Sequence, residues 1–427
     1  MTVIASEARD ERERTFSGRA GQLLTALSVA IAAGLVVLVG VRWYAYQWDF
    51  HMFYGAARDF AAGMSPYRGY GLSFFHPPIM LYVYRLFTFM PEPLAVTVWY
   101  VLKLAALGTL ISIWNAEFVR LRLQASTVVF FILAYNGAIY ADLVAGNVSI
   151  FEELLLWFGF ACLLHARYLM FSICVIVAAQ VKLTPIFFAV LLIAVCEKPR
   201  WRAFLGTLAG FVAVFSLNEW LQPALFRNFW AASAQLDERG VDCPSLLAMI
   251  RDIFDRFFGA MFTSGSRIDE LLFLAMVAVV GAVSWRALLS YRRSSSPFDQ
   301  RLLIYFSCFV FALISPRFKA YTYIVLLVPT LYFLRTVDWR HRIPLVAGLM
   351  AVLVMFPQGY SLLPFRFAFE LFNNYLPLFA TGAVWFGYIL VLHELSPAPW
   401  SPFERLLHPS LITDPRRKEP SVNQATK

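Results

Sequence analysis

Cysteine is scarce in this chain, and the few cysteines present suggest no framework. Five occur in 427 residues. Cys162, Cys174, Cys196 and Cys308 lie inside apolar segments and only Cys243 lies in a long loop, so neither a disulfide scaffold nor a metal site is expected. No internal repeat is visible, which argues against the paired halves of many transporters. Behind the first twenty residues, where Arg9, Arg12, Arg14 and Arg19 alternate with acids, no small-residue cleavage site follows the apolar run. That run therefore reads as a retained anchor rather than a removed signal peptide. Also missing is any polar domain in which the basic excess is gathered. The net charge is +9 and the pI near 9.3, but Lys and Arg sit between apolar segments, where they set topology and meet anionic lipid. Nucleic acid is excluded as a partner on that ground.

The chain does have apolar length. With 60% hydrophobic residues, 17% aromatic residues and a mean hydropathy of +0.64, it holds too many segments of spanning length for a soluble protein. The expected class is all-α integral membrane. About twelve transmembrane helices are predicted, near residues 22–41, 94–114, 125–141, 150–164, 168–181, 183–196, 203–220, 270–289, 301–315, 320–334, 343–357 and 375–393. Several are shorter than a straight span requires, so tilt or burial within protein is expected. The run 77–90 decides the orientation. If it crossed, the clusters Arg120/Arg122, Lys198/Arg200/Arg202, Arg292/Arg293 and Arg340/Arg342 would all face outward. Treating it as interfacial or re-entrant places them in the cytoplasm, together with both termini. The resulting organisation is a cytoplasmic segment 1–21, a polytopic domain 22–393 and a cytoplasmic tail 394–427, which is rich in proline and read as disordered. The domain carries a first outer loop at 43–93 and a large outer loop at 221–269.

The stretch from Trp43 to Pro78 is the most informative. Phe50, Phe53, Tyr54, Ala57, Phe60 and Ala61 recur at helical spacing, which predicts an interfacial helix over 50–62 stopped by Gly63 and entered through Asp49. A second amphipathic piece in the large outer loop presents Leu246, Leu247, Ile250, Ile253, Phe254, Phe257 and Phe258 on one face. It is expected to pack over the same cavity.

Charges near a membrane are costly unless they act. Asp49, His76, Asp142, Glu152, Lys182, Arg317 and Lys319 all map to the outer ends of spans. An acid at the entrance and cations at the floor of one cavity suit a phosphate-bearing substrate. Fixed cations neutralise the leaving phosphate, and a carboxylate deprotonates the attacking hydroxyl. Each residue also has a plain reading. Asp49 fits a solvated interfacial acid, Lys182 a snorkelling cation at a helix end, Arg317 and Lys319 loop cations, and Asp142 and Asn147 parts of a turn. His76 before two prolines fits an ordinary loop residue.

The segments DFHMFYGAARDFAAGMSPY, FHPPIMLYVYRLF, AGNVSIFEELLLWFGF, QVKLTPIFF and SPRFKAYTYIVLLVP occur in this order. Together, from about Gln47 to Tyr332, they resemble glycosyltransferase family 87, multi-spanning enzymes of the GT-C superfamily that use polyprenyl-phosphate sugars. The resemblance implies a GT-C-like bundle with Asp49 as catalytic base and with Lys182 and the Ser315-Pro316 loop at the donor. Where the family often reads Gly-Gln-x-Asn in the second outer loop, this chain has Gly146-Asn147-Val148-Ser149. Members are chiefly mannosyltransferases, with arabinofuranosyl donors also represented. The expected activity is transfer of a sugar, mannose by resemblance, from a polyprenyl-phosphate donor to a glycolipid or glycan acceptor on the extracytoplasmic face of the cell inner membrane. Asp49 would act as general base, with inversion. Lys182, Arg317 and Lys319 would bind the donor phosphate, and His76, Asp142, Asn147 and Tyr54 would contact substrate. No cofactor or metal is required, and membrane lipids are the other partners. A polytopic lipid or solute transporter or flippase is the alternative.

Overall fold

The computed structural model describes residues 19–43, 45–67, 74–121, 124–235, 237–258, 267–293, 299–336, 351 and 366–394. The expected span 343–357 apart from Ala351, the segment before Arg19, the tail from residue 395, and Arg122, Arg340 and Arg342 lie outside the described residues. Among the described residues the chain is helical, without strands. In chain order the helices are α1 (Arg19–Val41), α2 (Trp48–Ala61), α3 (Ile79–Arg85), α4 (Glu92–Ile113), α5 (Ala125–Ala145), α6 (Ser149–Leu164), α7 (Tyr168–Val181) and α8 (Leu191–Ala194). They continue with α9 (Trp201–Leu221), α10 (Pro223–Ala234), α11 (Leu246–Phe258), α12 (Ile268–Arg292), α13 (Gln300–Ile314), α14 (Leu327–Thr336), α15 (Arg366–Asn374) and α16 (Leu376–Glu394).

Six helices among the described residues are long and apolar enough to cross a bilayer: α1, α4, α5, α9, α12 and α16. They leave Leu23, Leu27, Val37, Trp220 and Leu271 exposed, as lipid-facing surfaces do. This is an all-α integral membrane protein. The expected count of about twelve spans is not supported by helix length, because the other segments are shorter apolar helices. Two of these are stretched by 3-10 winding, which rises about 2.0 Å per residue rather than 1.5 Å. The seven-residue 3-10 segment Ala320–Leu326 runs into the ten-residue α14, and together they cover about 29 Å. The seven-residue segment Thr184–Val190 with α8 covers about 20 Å. The hard stretch 77–90 forms the seven-residue α3 and a four-residue 3-10 turn, Leu86–Phe89, together about 18 Å long and so well short of a hydrocarbon core of ~30 Å.

The largest core gathers α4 to α8, α13, α14 and α16 around Trp114, Trp157, Tyr305 and Tyr388. A second, aromatic core holds α2 and α3 against the start of α4. In it Phe50 stacks on Trp99 and Phe53 on Tyr84, with ring centroids 4.9 and 4.7 Å apart. The helix expected over 50–62 is thus present as α2, but its apolar face meets protein rather than lipid. The amphipathic helix α11 packs through Leu246, Ala248 and Ile250 onto α12 and α16. An uninterrupted helix was expected over 125–141, yet α5 is broken mid-way. Tyr135, Asn136 and Gly137 all take left-handed φ of 53 to 68°. Tyr135 compensates by bonding Thr330 through its hydroxyl at 2.7 Å and stacking on Tyr323.

Candidate active site

Asp49 is placed by two helix ends that grip each other. Gly146 ends α5 in a left-handed conformation, φ 73°. Gln47 precedes α2, also left-handed at φ 64°; its backbone N–H donates to the Val144 carbonyl at 2.6 Å and its side-chain amide to the Leu143 carbonyl at 2.5 Å. A Cβ on Gly146 would lie 2.9 Å from the Gln47 Cα, so only glycine lets the two backbones come this close. Trp99 on α4 donates its indole N–H to the Gly146 carbonyl at 2.9 Å. The ion pair Lys103–Asp142, 2.7 Å and fully buried, ties α4 to the same end of α5.

This grip delivers Asp49 to the first turn of α2, where exposed backbone N–H groups favour a carboxylate. Asn147 donates from Nδ2 to Asp49 Oδ2 at 2.6 Å and to the Tyr321 hydroxyl at 2.9 Å. The Ser149 hydroxyl donates to Asn147 Oδ1 at 3.1 Å and accepts from Lys182 Nζ at 2.6 Å. A directed chain of donors therefore runs Lys182, Ser149, Asn147, Asp49. Burial raises the Asp49 carboxyl above the usual carboxylate range, and Lys319 and the Asn147 bond pull it partly back. The result is a carboxylate that binds a proton more readily than one in water.

Asp49 opens onto a cavity of about 290 Å³ that is also lined by His76, Asn147, Lys182, Arg317, Lys319 and Tyr321. Lys182 pairs with Glu152 at 2.6 Å, and Arg317 and Lys319 share Glu238. His76 donates from Nδ1 to the Val181 carbonyl at 2.8 Å, which fixes it to the end of α7 one residue before Lys182. Burial, together with Lys182, Arg317 and Lys319, lowers its pKa to about 3, so its ring is neutral at physiological pH. The loop carrying Arg317 and Lys319 is held by Ser245, which donates to the Pro316 carbonyl at 2.8 Å, and by Tyr323, which donates to the Pro244 carbonyl at 2.7 Å.

The structure thus brings together six of the eight residues given a catalytic or binding role from sequence: Asp49, His76, Asn147, Lys182, Arg317 and Lys319. The other two are placed elsewhere. Asp142 was expected just beyond a span ending at residue 141, but α5 continues to Ala145 and the carboxylate is fully buried against Lys103. Tyr54 stays in the aromatic core, its hydroxyl donating to the Met90 carbonyl at 2.9 Å. Sequence reasoning missed Glu238, Ser149, Tyr321 and Thr322. The last three lie inside segments already recognised, whereas Glu238 has no local signal. Among the described residues no cluster of His, Cys, Asp and Glu could hold a metal ion.

A partly open cavity in a helical membrane protein, lined by one buried carboxylate and three cations, has the parts for transfer of a group from an anionic carrier to a hydroxyl. Residues 74–316, more than half of the chain, match glycosyltransferase family 87, and the chain belongs to that family. It is a membrane glycosyltransferase. A search of curated proteins returned no match.

Proposed function

We propose that this enzyme moves a sugar from a polyprenyl-phosphate donor to a hydroxyl of a lipid-linked or periplasmic glycan, with mannose as the sugar the resemblance favours. The observation that carries this reading is that Asp49 and three cations line one cavity. Asp49 takes the proton of the acceptor hydroxyl as its oxygen attacks the anomeric carbon. The bond from that carbon to the phosphate oxygen breaks on the opposite side, and the electron pair leaves with the phosphate. Lys182, Arg317 and Lys319 receive the charge. A single displacement of this kind inverts the anomeric centre. His76, neutral and fixed at Nδ1, offers its other ring nitrogen as a hydrogen-bonding group for the sugar.

An apolar cavity of about 150 Å³ supports a lipid-linked donor. It is lined by Phe187, Leu191, Val310 and Ile314, residues that follow Thr184 or precede Pro316 of the polar cavity closely in the chain. The 3-10 segment Thr184–Val190 gives Thr184 to the polar cavity and Phe187, Phe188 and Val190 to the apolar one, and α13, whose Ile314 lines the apolar cavity, ends two residues before Pro316, so a chain bound by its phosphate could continue into the apolar one. In the same reading the helices form a GT-C-type bundle of about twelve crossings in the inner membrane, with both termini cytoplasmic and the cavity on the extracytoplasmic side.

Asp49→Asn tests the assignment. Asn keeps the size and the bond to Asn147 but cannot take the proton, so transfer should fall by ~10² to 10⁴. Donor binding and thermal unfolding in detergent should stay as in the parent. Transfer at close to the parental rate would remove Asp49 as the base.

A further inference from the structure

We propose that Glu238 is a latch that occupies the donor-phosphate site of the empty enzyme and must swing away for the donor to bind. The inference rests on the donor-phosphate reading above. Both carboxylate oxygens of Glu238 are engaged. Arg317 donates to Oε2 from Nε at 2.6 Å and from Nη2 at 2.5 Å, and Lys319 Nζ donates to Oε1 at 2.7 Å. This fork is how a guanidinium and an ammonium hold a phosphate, with a carboxylate in its place.

Each cation of the cavity is faced by a carboxylate, but the two acids differ. Glu152, partner of Lys182, is 1% exposed and carried on α6, whereas Glu238 is 24% exposed and stands in the non-helical stretch between α10 and the 3-10 turn Gly240–Asp242. Glu152 has nowhere to go. Glu238 can leave by rotating its side chain, because its neighbours are anchored independently: Asp237 and Arg239 pair with each other, and Arg239 also reaches Asp255. The cations would keep their places after it left. The Arg317 guanidinium lies 5.3 Å from the Phe75 ring centroid, and Lys319 Nζ lies 5.7 Å from that of Tyr321.

The exchange also balances charge. With Glu238 in place, Asp49, Glu152 and Glu238 match Lys182, Arg317 and Lys319 one for one. A sugar phosphodiester carries a single negative charge and replaces one carboxylate without leaving a net charge in a buried space. Return of Glu238 would likewise displace the phosphate product, so the latch lowers donor affinity and speeds release.

The test uses the full chain purified in detergent, with farnesyl phosphate as probe and farnesol as its uncharged counterpart. Glu238→Gln and Glu238→Ala should each bind farnesyl phosphate about tenfold more tightly than the parent, as expected if the latch is closed in about nine of ten empty molecules. Farnesol binding should not change. With Arg317→Ala already present, Glu238→Ala should bring a smaller gain. Unchanged or weaker farnesyl phosphate binding in both single variants would overturn the latch. If parent and variants all failed to prefer farnesyl phosphate over farnesol, the phosphate reading would fall and the latch with it. A parent preference for phosphate without any gain in the variants would remove the latch alone.

Discussion

Asn147 is bonded so that its removal should be read as a shift in pH rather than a simple loss of rate. Asn147→Ala deletes the amide that donates to Asp49 at 2.6 Å and to Tyr321 at 2.9 Å. A hydrogen bond to a charged acceptor is worth about 1.5–3 kcal/mol. Without it the Asp49 carboxyl should rise further above its already raised position, and at ~1.4 kcal/mol per factor of ten the ionised fraction on the acidic side should fall by about ten- to a hundredfold. The sign follows from the role of the group: a base works ionised, so the acidic limb of kcat/KM against pH should move to higher pH, with the rate on that limb lowered by the same factor. Well above the limb the variant should recover most of the parental rate, because Asp49 remains in the first turn of α2 and Lys319 still lowers its pKa. Asn147→Asp should move the limb further, since two adjacent carboxylates share a proton before both ionise. The assay is the pH dependence of kcat/KM with saturating acceptor. A uniform loss of rate at every pH, with the limb unmoved, would show that Asn147 merely supports the fold and that its bond does not tune the base.

Two further outcomes concern the frame of the site. Gly146→Ala should cost about 2–5 kcal/mol, combining a left-handed conformation with a Cβ placed 2.9 Å from the Gln47 Cα. Gly63→Ala, equally left-handed but with open space around its Cβ, should cost only the ~1–2 kcal/mol conformational part, and thermal unfolding in detergent distinguishes the two. For His76 the pKa is depressed by folding, to about 3 from an ordinary 6.5. Its contribution to stability is therefore complete above pH 6.5 and is lost as pH falls towards 3. His76→Asn, whose amide can replace the Nδ1–H donor to Val181, should show a smaller drop in unfolding temperature between pH 7 and pH 5 than the parent. Equal drops would deny that His76 is held neutral.

The residues legible in sequence were those whose cost is local. A lysine between apolar runs, an acid at a helix head and a Ser-Pro loop with two cations each contradict their surroundings, and each proved to line one cavity. What stayed hidden depended on contacts across the chain. Lys103 and Asp142 lie thirty-nine positions apart and cancel each other in the interior, so neither a span with one lysine nor an acid near a turn could disclose the pair. Glu238 sits in a loop of mixed charge, and only the fold brings it to Arg317, seventy-nine positions away. The break in α5 gave no proline signal; it is held open by Tyr135 reaching Thr330 and Tyr323. Short apolar segments were legible as helices, but their winding was not.

That winding has a mechanical consequence. Thr184–Val190 begins two residues after Lys182, and Ala320–Leu326 begins directly after Lys319, so two of the three cations of the cavity each ride on a seven-residue 3-10 spring. Such long 3-10 runs are uncommon, and rewinding either one as α-helix would shorten it by about 3.5 Å. A hydrogen bond does not survive a displacement of that size. Under the proposed function, rewinding either segment would move a cation away from the donor phosphate, so the hold on the donor would follow the winding of these two segments.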